Sequence, residues 1–307
     1  MQRSIAISVE SISKLYGSFR AVNNLTFEVY GGEIFAMLGP NGAGKSTTIR
    51  MILDILKPDS GTISVLGGPL TDETKNRVGY LPEERGMYRG VAVLDMMVYL
   101  ATLKGLAPAE ARKRSMTYLE MLDLADYAKK KVSELSKGMQ QKVQFAITVL
   151  HNPDLIIVDE PFSGLDPVNT KVIENLLRDF KARGGAVVMS THQMYQVEEM
   201  ADRLLMIDKG EQKLYGPVQD VRRQYALPAV HVEGQGDWAS IHGVERVELR
   251  QNGRPSALLY LAADTTPDAV LEEIARRDDL HIQRFELAVP SLNDIFIQVV
   301  SGDGRRG

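Results

Sequence analysis

Apolar positions along the chain follow two rhythms. Residues 5–10 alternate apolar and polar, with Ile5, Ile7 and Val9 on one side, and residues 21–29 repeat this with Leu25, Phe27 and Val29. A period of two predicts half-buried strands. Gly31-Gly32 then turns the chain into an unbroken apolar run, Ile34-Phe35-Ala36-Met37-Leu38, which predicts a buried strand. Residues 47–56 change rhythm, since Ile49, Ile52, Leu53 and Leu56 have helical spacing. After a turn at Lys57-Pro58-Asp59-Ser60-Gly61, strands are predicted at 62–66 and 78–82, and Glu83-Glu84-Arg85-Gly86 reads as a polar loop.

From 93 to 131 the pattern is helical, interrupted at Gly105 and Pro108. Val93, Met96, Met97, Leu100 and Leu103 make one apolar face, and Met116, Leu119, Leu122 and Leu124 another, which predicts a helical insertion. Just before it, Met87, Tyr88 and Val91 are expected to be exposed. A helix at 140–150 is followed by Leu155-Ile156-Ile157-Val158, a second buried strand, then a turn at 163–167 and a helix at 168–182. Strand 186–190 and a hairpin at 203–215 across Lys209-Gly210 close this part of the chain.

Beyond Tyr225 the texture changes. Strands are predicted at 230–232, 244–250, 257–261 and 281–287, the middle two forming a hairpin across Asn252-Gly253. Helices are predicted at 267–277 and 291–300, the latter capped by Ser291, with a short helical segment near Trp238. That order, β(α)ββαβα, suggests a small ferredoxin-like sandwich. The organisation is therefore an α/β domain over 1–225, with a helical insertion at about 86–136, and a small α+β accessory domain over 226–307.

The chemistry concentrates where strand meets helix. Gly39-Pro40-Asn41-Gly42-Ala43-Gly44-Lys45-Ser46, followed by Thr47, fits the P-loop pattern between a predicted strand and a predicted helix. Glycines let successive backbone N–H groups point at one spot, and the helix N-terminus adds partial positive charge. Lys45 is then placed for the β- and γ-phosphates, and the Ser46 hydroxyl for Mg²⁺. Asp159 and Glu160 end a buried strand, where open α/β sheets bind their ligands. Asp159 suits an Mg²⁺ contact through water, and Glu160 suits a base that polarises the attacking water. His192, after strand 186–190, opens onto the same sheet edge and suits a γ-phosphate contact. Two residues stay open on this reading: Tyr16 stacks on a base or packs under a turn, and Ser136 serves a ligand or simply caps a helix.

Composition narrows the classes. The 307 residues carry 36 basic and 40 acidic side chains, a formal charge of −4, which argues against a sequence-independent nucleic-acid binder. Cysteine is absent, so disulfides, thiolate metal sites and a cysteine nucleophile are excluded. No apolar run approaches the roughly 18–20 residues of a membrane-spanning helix.

Taken in order, the P-loop, Leu135-Ser136-Lys137-Gly138-Met139, Asp159-Glu160, the 163–166 loop and His192 resemble the nucleotide-binding domain of ABC-type ATPases over about residues 4–225. The resemblance implies an ATPase using ATP and Mg²⁺, with a P-loop core, an antiparallel β subdomain and the helical insertion. It implies that Tyr16 stacks on adenine, Glu160 is the catalytic carboxylate, and His192 is the switch histidine. It also implies a homodimer or heterodimer packed head to tail, in which Ser136 and Gly138 complete the partner's site. Two motifs depart from the family pattern. Lys137 and Met139 replace Gly and Gln of the usual signature, and Glu83 aligns with a glutamine, bringing a carboxylate near Mg²⁺ and the γ-phosphate.

The ending Val289-Pro290-Ser291-Leu292-Asn293-Asp294-Ile295-Phe296 looks like the C-terminal extension of ABC-2 exporter ATPases, including sodium and drug efflux systems. Without a ligand of its own, that extension is a stability or dimer module. The implied setting is the cytoplasmic face of the cell membrane, held there by a separate transmembrane permease whose coupling helix docks near 83–97. Soluble relatives that act on ribosomes or DNA usually carry two nucleotide-binding domains or long coiled-coil insertions, and neither is found here. A regulatory scaffold with little turnover is disfavoured by intact Lys45, Asp159, Glu160 and His192.

Overall fold

In the computed structural model, which describes residues 4–84, 86–250 and 255–300, the two alternating segments pair as an antiparallel hairpin, β1 (Ile5–Tyr16) and β2 (Phe19–Tyr30). Their register sets Ile7 opposite Val29, Val9 opposite Phe27 and Ile12 opposite Leu25, so one face is wholly apolar and buried. β3 (Ile34–Leu38) leads through the P-loop into α1 (Lys45–Ile52), and β4 (Ser60–Val65) returns to β1, completing a sheet of order β2-β1-β4. Helix α1 is shorter than its apolar spacing predicts. Asp54 adopts φ 58, and the chain leaves the helix while Leu53 and Leu56 still pack on the same core.

A one-turn helix, α2 (Asp72–Lys75), capped by Thr71, precedes β5 (Val78–Leu81). The insertion comprises α3 (Val93–Leu103) and α4 (Pro108–Met121). Two 3₁₀ turns then lead to α5 (Lys137–Val149). The helical pattern expected to reach Lys131 stops ten residues early, where Asp123 takes the left-handed φ of 58. Leu122 and Leu124 remain buried beyond that break, so periodicity there reports burial rather than helix. Met87, expected to be exposed, is half-buried against this core, whereas Tyr88 and Val91 are 53% and 39% exposed.

The rest of this unit alternates strand and helix: β6 (Leu155–Asp159), α6 (Pro167–Ala182), β7 (Ala186–Thr191), α7 (Met194–Met200), β8 (Arg203–Asp208) and β9 (Glu211–Pro217). These strands build a six-stranded sheet of order β5-β6-β7-β3-β8-β9, parallel except for β9. β3, β6 and β7 are buried at every position, which is why they read as unbroken apolar runs. α2, α7 and α8 (Val218–Gln224) were not predicted; at seven residues or fewer they are too short to show a period.

The chain divides into two units, Met1–Val218 and Gln219–Gly307. In the second, β10 (Ala229–Gln235), β11 (Val244–Arg250), β12 (Ser256–Leu261) and β13 (His281–Leu287) form an antiparallel sheet of order β11-β12-β10-β13. With α9 (Pro267–Arg276) and α10 (Leu292–Val300) this is the ferredoxin-like order, its first helix reduced to the 3₁₀ turn Trp238–Ser240. Val230, Val232 and Leu259 pack with Val270 and Ile274 of α9 and with Trp238. The Asn252-Gly253 turn, like Arg85, lies outside the described residues.

One titratable group is committed to the fold. His151 donates from Nε2 to the Val78 carbonyl at 3.3 Å, and its Nδ1 is buried with no partner among the described residues. The Lys104 ammonium bonds the same carbonyl at 3.1 Å. Burial first, and Lys104 second, lower the His151 pKa from 6.5 to about 4. The unfolded chain takes up this proton near pH 6.5 and the folded chain only near 4, so the contribution is complete above 6.5 and lost as pH falls towards 4. His151→Gln keeps a donor and removes the titration. Denaturant melts at pH 7 and pH 4 are expected to show a loss smaller by about 2 kcal/mol in the variant than in the native chain. Equal losses would show that His151 is not the group responsible.

Candidate functional site

The loop between β3 and α1 is pinned from above by the first hairpin. Gly44, at φ 111, caps α1, and a Cβ on it would lie 2.5 Å from the Ala21 carbonyl oxygen of β2. Only glycine allows this approach. Two backbone hydrogen bonds tighten the same corner, Asn23 N–H to Gly210 O at 2.8 Å and Gly210 N–H to Ala43 O at 2.9 Å. Lys45 is buried beneath the loop, its Nζ donating to the carbonyls of Gly39 at 2.7 Å and Pro40 at 3.2 Å. Burial lowers its pKa, and Glu160, Asp159 and Glu83 pull it back up.

The two carboxylates come from β6 and are fixed by β7. Asp159 stands opposite Ser190, whose hydroxyl donates to Asp159 Oδ1 in a very short hydrogen bond. Glu160 adopts φ 47, left-handed for a non-glycine residue, and its N–H donates to Ser190 O at 3.1 Å. Strained backbone of this kind clusters at functional sites because the surrounding bonds must hold it. One oxygen of Glu160 accepts from His192 Nδ1 at 2.8 Å, and the other faces the Thr191 hydroxyl at 3.4 Å. A carboxylate only accepts, so this contact assigns the neutral imidazole proton to Nδ1. Glu160 is 8% exposed, while the His192 side chain is about half exposed.

A cleft of about 440 Å³ gathers most residues expected from the sequence. Tyr16, Asn41, Gly42, Ala43, Gly44, Lys45, Ser46, Thr47, Glu83, Asp159, Glu160 and His192 all line it. Gly39 and Pro40 do not line it and are tied to it through Lys45. Ser136 and Gly138 are likewise absent from its walls. Ser136 caps α5, its Oγ accepting from Met139 N–H at 3.3 Å. Gly138 is pressed on α6, where a Cβ would lie 2.6 Å from Asn169 Nδ2. Asn169 is itself held by Asp166, the N-cap of α6, through its backbone and side-chain nitrogens at 2.9 and 2.5 Å.

Sequence reasoning missed four residues here. Phe19 and Ala21 also line the cleft, and Ser190 and Thr191 orient its carboxylates. The usable signals were an aromatic three residues after Tyr16 and a pair of hydroxyls ending a buried run.

Comparison with known proteins agrees with this architecture. Residues 22–163 match the family model described as ABC transporter, and residues 216–300 match the ATP-binding protein DrrA1-3-like C-terminal domain. The chain is 38% identical over 294 residues to the ABC transporter ATP-binding protein YhaQ of Bacillus subtilis (strain 168), covering 96% of this chain and 98% of that one. It is 37% identical over 298 residues to the Nod factor export ATP-binding protein I of Paraburkholderia xenovorans (strain LB400), covering 96% of each. Linearmycin resistance ATP-binding protein LnrL of Bacillus subtilis (strain 168) is 35% identical over 218 residues, 70% of each chain. Among solved structures, an ATP binding subunit of an ABC transporter superposes with a TM-score of 0.66 at 34% identity, covering 72% of this chain and 93% of that one. The dimeric structure of MJ0796, a bacterial ABC transporter cassette, gives 0.63 at 25% identity, covering 69% and 98%. The chain thus belongs to the ATP-binding proteins of ABC transporters, and it is an ATPase.

Proposed function

We propose that this ATPase powers export through a separate membrane-spanning permease, hydrolysing ATP in the cleft where the P-loop, Asp159-Glu160 and His192 meet. The observation that carries the reading is that convergence, since three segments far apart in sequence bring a phosphate cradle and a buried carboxylate to one edge. Relatives named for Nod factor export and linearmycin resistance support the direction of transport. No helix among the described residues is long and apolar enough to cross a membrane. In this reading the permease is another chain, and this subunit sits against it on the cytoplasmic face.

In this reading the backbone amides of residues 41–47 and the Lys45 ammonium bind the phosphates, and Tyr16 receives the adenine. Glu160 takes the proton of the attacking water as its oxygen bonds to the γ-phosphorus and the bond to the ADP oxygen breaks. His192 holds Glu160 in position and faces the departing phosphate. The oxygen donors Ser46, Glu83 and Asp159 would hold a magnesium ion, which takes oxygen ligands. When bound, that ion neutralises charge on the β- and γ-oxygens. Ser136 and Gly138, which do not line their own chain's cleft, serve the opposite site of a head-to-tail pair; the dimeric cassette structure supports a dimer.

Three outcomes test the proposal. Glu160→Gln keeps shape and hydrogen bonding but removes the base, so nucleotide binding is retained while hydrolysis falls by roughly 10²–10⁴-fold. Wild-type turnover in that variant would falsify the assignment. Lys45→Ala and Ser136→Arg proteins are each expected to be inactive, but a mixed dimer would collect both defects in one site. ATPase activity is therefore expected to return on mixing. Its absence, with mixed dimers demonstrated by native mass spectrometry, rules out independent head-to-tail sites.

The third outcome concerns the permease. Tyr88 packs edge-to-face on Tyr99 at 6.2 Å, and both rings remain about half exposed, as a docking surface requires. Tyr88→Asp puts a charge into that contact and is expected to abolish co-purification with the permease. Basal ATPase activity and the melting midpoint are expected to stay nearly unchanged. A large drop in midpoint would mean that Tyr88 serves the fold instead.

A further inference from the structure

The cleft carries an aromatic residue that its assigned chemistry does not use. Phe19 is 62% exposed and lines the cleft beside Tyr16, which is 49% exposed. An exposed phenylalanine on a hairpin contributes little to the fold, and among the described residues neither ring stacks on another aromatic side chain. The two are direct partners across the β1–β2 ladder, Tyr16 opposite Phe19, so their side chains leave the same face of the hairpin at adjacent positions. Ala21, where the β1–β2 register shifts, also lines the cleft.

The position of this pair relative to the phosphate loop is not left to chance. Ala21 O closes against Gly44, and Asn23 and Ala43 are both laced to Gly210. The hairpin end is thereby fastened to the loop that holds Lys45 and Ser46. Among the described residues lining the cleft, Tyr16 and Phe19 are the two that present a phenyl ring, and both stand at the hairpin end fastened to the phosphate loop.

We propose that Phe19 is a nucleotide-binding residue, forming with Tyr16 a two-ring apolar ledge that holds the base of the nucleoside triphosphate. The proposal rests on the cleft being the nucleotide site. Stacking on ring faces reads no hydrogen-bonding edge, so the ledge contributes affinity without choosing between purines. Phe19 acts on binding and not on the chemical step, because a phenyl ring has no group that can accept or donate a proton.

The test uses the full chain and three probes measured by calorimetry: AMP-PNP, GMP-PNP and inorganic tripolyphosphate, each with magnesium. Phe19→Ala is expected to weaken both nucleotides by the same factor, about 5- to 50-fold, and to leave tripolyphosphate unchanged. Phe19→Leu, which keeps apolar bulk without a ring face, should behave like Phe19→Ala, and Phe19→Trp should retain affinity. If Phe19→Ala binds AMP-PNP as well as native protein while Tyr16→Ala binds it poorly, the ledge is overturned and the cleft assignment stands. If neither substitution matters although tripolyphosphate still binds, the base lies elsewhere and the proposal fails. If tripolyphosphate binding falls together with nucleotide binding, Phe19 supports the loop rather than the base, which also overturns it.

Discussion

Parallel pairing of β6, β7 and β3 is the constraint on which the site depends. Asp159 pairs with Ser190, Met37 also pairs with Ser190, and Leu38 pairs with Thr191. Parallel strands end at the same edge of a sheet, so the chain leaves all three at one place although β3 precedes the other two by more than a hundred residues. These strands are buried on both faces, and a slip of one residue would carry Asp159 or Ser190 to the opposite face. Correct register and correct site geometry are therefore one event.

The charges gathered at that edge do not by themselves favour a polyphosphate. Glu83, Asp159 and Glu160 face the cleft with Lys45. Three carboxylates against one ammonium leave the work of holding anions to backbone amides, the α1 terminus and a divalent cation. The carboxylates are kept in place by partners that are mostly uncharged, the hydroxyls of Ser190 and Thr191, the Ser190 carbonyl that receives the Glu160 N–H, and the His192 ring. Neutral partners orient an acid without cancelling it, which leaves Glu160 able to accept a proton.

Much of this was legible before any coordinates. The fully buried strands appear as apolar runs because both their faces meet apolar neighbours, and the P-loop, Asp159, Glu160 and His192 were found through their places at the ends of those runs. What escaped had physical reasons. Leu122 and Leu124 keep a helical spacing that a left-handed Asp123 has already broken. α7 and α8 are shorter than two full turns of a repeating pattern. Met87 looked like its neighbours Tyr88 and Val91, and only packing on the insertion separates it from them. Phe19 went unread because a lone exposed aromatic has no periodicity, and its meaning comes from the residue across the ladder.

The contact between Gly138 and Asn169 has a mechanical consequence. With no room for a methyl group between them, and with Asn169 clasped by Asp166, the start of α5 and the start of α6 mesh like teeth. A side chain larger than hydrogen at 138 would have to displace the Asn169 amide from Asp166. The 163–166 loop runs from just past Glu160 into Asp166, so a displacement of the start of α5 would be passed through Asn169 to a loop that borders the chain's own cleft.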